Sequence, residues 1–313
     1  MATIKDTARR VSYLAAPISQ RAVPWIAAWT CRHDAKDWFS QAKAMVEIAL
    51  GETPQNAARI ARESLEQNLL FHADYERFAR NSFSWVLTRL EPMEVPDGAL
   101  ISGIVRRHRG GVIYATAHVG CYLAALMRIG QFLKPAGPVA VIKREGANAR
   151  EALAYRHFEA LGIELQLLRV GARPAAMAVR TLQRGGGLVL LYDVHEGFGV
   201  GHRSPCTLFD RPAALPVGPA ALAARTGAMI LPLAVLTDEQ GSERVVFEQP
   251  ILPDQPIESM VQQLARCLET WIRQAPGRWM LWPHLARLAL DPHSRSNALE
   301  APAPTPKLMK NSP

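Results

Sequence analysis

Between residues 111 and 274, short apolar runs of β type alternate with segments of helical spacing, and nothing else narrows the fold of this 313-residue chain so far. The runs are 111–116, 139–143, 164–168, 188–192, 229–236 and 244–247. Between and after them, residues 122–131, 147–161, 175–184, 216–226 and 257–274 carry apolar side chains every three or four positions. A strand followed by a helix returns the chain across the sheet, so neighbouring strands run parallel and helices cover the sheet faces. The expected class is α/β, with a central mostly parallel or mixed sheet flanked by helices and a helical N-terminal region. That region covers residues 36–90, where Trp38, Ala42, Met45, Ile48 and Ala49 share one helical face, and 57–70 continues likewise. Pro92 and Pro96-Asp97-Gly98 interrupt it.

The organisation expected is an N-terminal segment over 1–35, one domain over 36–290 and a disordered tail over 291–313. Pro302, Pro304 and Pro306 stand in that tail among few apolar residues. A net charge of +8 favours acidic partners through long-range attraction. A nucleic-acid module is not among them, because no basic stretch is interleaved with aromatic residues. Cys31, Cys121, Cys206 and Cys267 are far apart and form no C-x-x-C pair, which argues against zinc knuckles and disulfide scaffolds. A reducing cytoplasm is the default compartment. No run of about 20 apolar residues and no signal-peptide core is present. The stretch Val23-Pro-Trp-Ile-Ala-Ala-Trp-Thr-Cys31 is too short to span a bilayer, and two readings compete for it: the start of a buried helix, the favoured one, or an interfacial segment anchored by its tryptophans.

One block stands out chemically. Tyr114-Ala-Thr-Ala-His-Val-Gly-Cys-Tyr-Leu-Ala-Ala-Leu126 places His118 where the first β-run meets a helix. Imidazole titrates near neutrality and suits a general base. Five residues on, where a carboxylate would orient its ring, stands Leu123. Further blocks follow in order: Val141-Ile-Lys-Arg144, Tyr155-Arg-His157, Leu190-Leu-Tyr-Asp-Val-His-Glu-Gly197, Leu208-Phe-Asp-Arg-Pro-Ala-Ala-Leu-Pro-Val-Gly218, Ala221-Leu-Ala-Ala-Arg-Thr-Gly-Ala228, and Pro276-Gly-Arg-Trp-Met-Leu-Trp-Pro-His284. Their order and spacing over roughly residues 35–290 resemble the bacterial lipid A biosynthesis (lauroyl/myristoyl) acyltransferase family, a branch of the lysophospholipid acyltransferase superfamily.

The resemblance implies an acyltransferase-like fold. It also implies transfer of a fatty acyl group from an acyl thioester, on acyl carrier protein or coenzyme A, to a hydroxyl or amine of a lipid or small-molecule acceptor. No cofactor and no metal is implied beyond that donor. His118 matches the histidine of the family's H-x-x-x-x-[DE] motif, Gly120 the glycine two residues on, and Tyr122 an aromatic position. Leu123 departs from the acidic residue. Arg144 resembles the arginine that ends the next strand, Arg156 a second arginine, and Asp193 the aspartate of a later strand end. His118 and Asp193 are thus the implied catalytic pair, and Gly120, Cys121, Tyr122, Leu123, Arg144, Arg156, Glu196 and Arg211 the implied substrate-contacting set. The lipid A enzymes generally carry an N-terminal spanning helix, so the lack of one here points to a cytoplasmic protein, peripheral at most on the inner face of the cytoplasmic membrane.

Three outcomes are open for a histidine without its carboxylate. Asp193, Glu196 or Glu145 orients it from a neighbouring strand end, where α/β sites assemble. The acceptor needs less base assistance, as an amine does. Or the chain keeps the fold as a noncatalytic acyl-chain, lipid or acyl-carrier-binding protein. Competing explanations attend the other residues. Cys121 lies near a helix N-terminus, where thiolates are stabilised, but a small buried cysteine is the commoner case. Arg144 suits a phosphate clamp or an ion pair with Glu145 or Glu151. Phe209, Arg211 and Pro212 mark either a substrate-proximal turn or a plain one. Gly185-Gly-Gly187 precedes a strand and lacks the Lys-Ser/Thr of a phosphate loop, so it reads as a helix-ending turn. Gly197-Phe-Gly-Val-Gly201 reads as a loop. Arg106-Arg-His-Arg109 is the densest basic cluster, a solvated face or a site for acidic partners. Trp279 and Trp282 fit a buried or interfacial anchor, with core packing the default.

Overall fold

The structure is a computed structural model that describes residues 16–33, 35–108, 110–131, 133, 138–143, 149–169, 172–195, 201–238 and 242–289. Helices α1 (Ala16–His33), α2 (Lys36–Leu50), α3 (Pro54–Arg80), α4 (Phe83–Leu90) and α5 (Gly98–Arg107) come first. Gly51 ends α2 in the left-handed conformation at φ 68°, and Thr53 caps α3 by accepting from the Asn56 N–H at 3.3 Å, with Pro54 in the first turn. Ile48, which helical spacing puts on the apolar face of α2, is partly open to solvent instead. Helix α5 lies where the proline and glycine signals suggested only a break. It carries Arg106, which donates to Ser102 Oγ at 2.7 Å, and it is followed by His108, whose Nε2 accepts from the Met229 N–H.

Strand β1 (Val112–Thr116) follows, then α6 (Tyr122–Gly130), β2 (Val139–Lys143), α7 (Ala149–Ala160), β3 (Leu165–Arg169), α8 (Ala172–Gln183) and β4 (Gly187–Leu191). After them come β5 (Arg203–Leu208), β6 (Arg211–Pro216), α9 (Gly218–Thr226), β7 (Met229–Thr237), β8 (Glu243–Phe247), α10 (Ile257–Gln274) and the short α11 (Leu285–Leu288). The central sheet has the order β3-β2-β4-β1-β7-β8, parallel throughout except for β8, which pairs antiparallel with β7 at one edge. Every residue of β1 and all but the last of β7 are buried, as expected of central strands covered on both faces.

Alternate strand residues feed two cores. Ile113, Ala115, Ile230 and Ala234 pack with α2, the start of α3, α8, α9 and α10. Val112, Tyr114, Leu231 and Leu233 pack with the end of α3 and with α4 to α7. The period of two along each strand therefore builds a helix–sheet–helix sandwich. Strands β5 and β6, absent from the expected set, form a separate antiparallel hairpin. Its two-residue turn holds Phe209 and Asp210 at φ 54° and 56°, the left-handed pair that a tight hairpin demands. Pro205 and Pro212 obscure this hairpin in the sequence, since proline is an unusual strand residue away from edges. Gly185 ends the turn after α8 at φ 75°, as its position before a strand suggested.

Candidate active site

The sheet order decides which residues meet at its carboxyl end. β1 and β4 are neighbours in register, with Thr116 opposite Leu191, and the pairing continues as the Tyr192 N–H donates to the Thr116 carbonyl. His118 stands two residues beyond Thr116 and Asp193 two residues beyond Leu191, so equal overhangs from adjacent parallel strands bring the two together. The chain passes from β1 to β2 on one side of the sheet, and reaches β7 on the other side only after β4. The pair thus lies at a point where the strand order reverses, the crevice in which open α/β sheets bind ligands.

His118 Nδ1 lies 2.8 Å from Asp193 Oδ1, and the His118 backbone N–H donates to Asp193 Oδ2 at 2.7 Å. The indole Nε1–H of Trp279 donates to the same Oδ2 at 2.9 Å. The carboxylate is fully buried, while the His118 side chain keeps 19% of its surface open. Burial pushes the Asp193 carboxyl up, but the His118 charge, the hydrogen bonds from the ring and the Trp279 indole, and the backbone N–H together hold it below the ordinary carboxylate value. An ionised Asp193 only accepts, so the ring proton sits on Nδ1. In the neutral ring the lone pair then falls on Nε2, the tautomer that a general base needs.

Two supports fix the loop between them. Gly120 has φ 62°, and a side chain there would drive its Cβ to 2.6 Å from the Val235 carbonyl oxygen. Glycine alone lets the chain turn that closely against β7. The segment after α10 then runs alongside: Gly120 N–H donates to the Arg278 carbonyl at 3.1 Å, Met280 N–H to the His118 carbonyl at 2.9 Å, and Val119 bridges to Trp279. Helix α3 holds that strap from the other side, with Ser64 Oγ donating to the Trp279 carbonyl and Arg278 donating to Gln67 Oε1. Tyr122 meets the His118 ring edge-on at 5.7 Å and rests on Phe71 of α3.

Of the residues expected at a site, His118, Asp193, Gly120 and Tyr122 are brought together. Leu123 is fully buried within the apolar core of α6. Cys121 is buried beside the Asp74–Arg89–Glu243 ion-pair network, and burial, with Asp74 adding to it, pushes its thiol far up, the reverse of an activated thiolate. Arg156 is exposed and donates to the Asn81 carbonyl at the end of α3, and Arg211 is exposed at the β5–β6 turn. Arg144, Glu145, Glu196 and Gly197 lie outside the described residues.

Sequence reasoning missed the role of Trp279, which it treated as packing. The only signal was an indole donor inside the last of the blocks that carry the family resemblance, and nothing local says which acceptor it meets. Nothing in the sequence singles out His195 or His284, whose rings lie 5.0 Å apart. The His284 imidazole is pushed down to about 4, by burial first and then by His195, Arg287 and His118. It is therefore neutral at physiological pH and adds no positive charge to the site.

Trp279→Phe keeps a ring in place but deletes one donor to a buried carboxylate, which is expected to cost about 1.5–3 kcal/mol. A carboxyl held low in the folded state stabilises above its unfolded value and loses that contribution as pH falls through the folded value. With the donor gone, the folded value moves toward the unfolded one. Urea unfolding followed across the acidic range should then show a smaller stability at neutral pH and an acid-unfolding limb shifted upward.

The fold and this pair define a class: a mostly parallel α/β sheet protein with a carboxylate-oriented histidine at the strand ends. The family model for the bacterial lipid A biosynthesis acyltransferases matches residues 11–285, and the chain belongs to that family. A comparison with curated proteins finds no match. Among the described residues, no helix is long and apolar enough to cross a membrane.

Proposed function

We propose that the protein transfers a fatty acyl group from an acyl thioester, on acyl carrier protein or coenzyme A, to a hydroxyl or amine of a lipid or small-molecule acceptor. His118 is the general base and Asp193 its orienting partner. The observation that carries this reading is the 2.8 Å contact from His118 Nδ1 to a buried, fully hydrogen-bonded Asp193 carboxylate. It supplies from the end of β4 what position 123 lacks.

In the reaction proposed, His118 Nε2 takes the proton of the acceptor O–H or N–H as that atom attacks the thioester carbonyl carbon. The tetrahedral intermediate collapses, the C–S bond breaks, and the imidazolium returns the proton to the departing thiolate. Asp193 stays ionised and stabilises the imidazolium between the two steps. The orienting carboxylate does not have to come from the helix that follows the histidine; it has only to reach Nδ1.

The test is to incubate the purified chain with acyl-carrier and coenzyme A thioesters of several chain lengths and a panel of hydroxyl and amine acceptors. Acceptor-dependent thioester consumption is expected in the wild type and only background in His118→Ala. Consumption that persists unchanged in His118→Ala would remove His118 as base. Tight acyl-chain or carrier binding without turnover would favour the noncatalytic reading.

A further inference from the structure

Helix α1 has two unlike faces. Val23, Ala27, Thr30 and Cys31 are buried, and the apolar ones pack on Leu65, Leu69 and Ala73 of α3. On the other face Arg21, Trp25, Trp29 and Arg32 recur at intervals of four, four and three residues, which is a single ridge of an α-helix. Trp25 is 81% exposed and Trp29 54%, the most exposed large aromatic side chains among the described residues. Arg21, Arg32 and His33 are exposed at the two ends of the ridge. The buried-helix expectation for residues 23–31 therefore holds for one face only.

We propose that this ridge docks the protein on the surface of a membrane containing anionic lipid, with Trp25 and Trp29 in the headgroup region and Arg21 and Arg32 on lipid phosphates. The ridge spans about 16 Å at 1.5 Å per residue, far less than the roughly 30 Å hydrocarbon core, so the helix lies along the surface. A bilayer interface receives an indole without needing a complementary pocket, and anionic headgroups match a ridge whose only charges are cations.

A second copy of the chain fits less well. Helix α1 contains no Asp or Glu, so a two-fold contact through the ridge sets arginines against arginines or tryptophans with no acid to pair them. Helix α3 couples the ridge to the site. It carries α1 on Leu65, Leu69 and Ala73, and on its opposite side Ser64, Gln67 and Phe71 hold the strap and Tyr122. The docking does not depend on the catalytic reading.

The test is co-sedimentation of the full chain with vesicles of phosphatidylglycerol and phosphatidylethanolamine, and with vesicles of phosphatidylcholine alone, without acyl donor or acceptor. Preferential binding to the anionic vesicles is expected, weakened by added salt. Arg21→Ser/Arg32→Ser should lower the partition coefficient about 25-fold, roughly fivefold per charge. Trp25→Ser/Trp29→Ser should lower it at least about tenfold on the same vesicles. Thermal melting should stay unchanged, since all four side chains are exposed. His118→Ala should bind as the wild type does, so a failed transfer assay and a failed docking assay are read separately. The proposal is overturned if the wild type does not sediment with anionic vesicles, or if the tryptophan pair can be removed without loss. It is equally overturned if the wild type is a dimer that this pair of substitutions breaks and no vesicle binding is seen.

Discussion

Asp193→Asn is expected to lower turnover by about a thousand- to ten-thousand-fold, the scale seen when the orienting carboxylate of a histidine base is replaced by an amide. The hydrogen-bond pattern dictates the failure. Oδ2 of Asp193 accepts from two donors, the His118 backbone N–H and the Trp279 indole. An asparagine must offer its single carbonyl oxygen to both, which turns its NH₂ toward His118 Nδ1. The ring then accepts at Nδ1 and carries its proton on Nε2, where it can no longer take one from the acceptor. Single-turnover rates with an acyl thioester measure the effect, and a melting curve checks that the fold survives. Turnover within tenfold of wild type would show that Asp193 does not set the tautomer.

Leu123→Glu carries the largest expected cost in stability, on the order of 3–5 kcal/mol, because a carboxylate would be introduced at a fully buried position in an apolar cluster. It restores the spacing of the family motif, and on sequence grounds alone it promises a gain in rate. The geometry predicts none, since Nδ1 already has its carboxylate 2.8 Å away. A second acid would bury a like charge near the first or protonate. Urea denaturation and the same transfer assay decide the matter. A stable Leu123→Glu protein with a rate more than tenfold higher would mean that His118 lacks a competent partner in the wild type.

The elements most legible in the sequence are those with strong local periodicity. Strand β2 and helix α10 occupy their expected ranges, and β1, β3, β4, β7 and β8 are shifted by a residue or less at either end. Helix α5 escaped because it starts at a Pro-Asp-Gly break, and the β5–β6 hairpin because its prolines argue against strands. His118 was legible as the one imidazole at the junction of β1 and α6, inside a recognisable block. Gly120 was marked by resemblance, but its reason, the approach of the Val235 carbonyl, belongs to packing between β7 and the loop after β1.

Asp193 was one of three carboxylates that could have oriented His118, and no local rule ranks them. The contact joins residues 75 apart, and the indole that completes it comes from 86 residues further on. Period and spacing act over a few residues, and so they determine that strands and helices alternate, which faces are apolar, and that His118 ends a strand. Which strand lies beside which is settled when the sheet assembles, with β4 inserted between β2 and β1 although β2 and β3 precede it in the chain. Only that insertion sets Thr116 against Leu191 and delivers a buried carboxylate to the histidine, in place of the one absent at position 123.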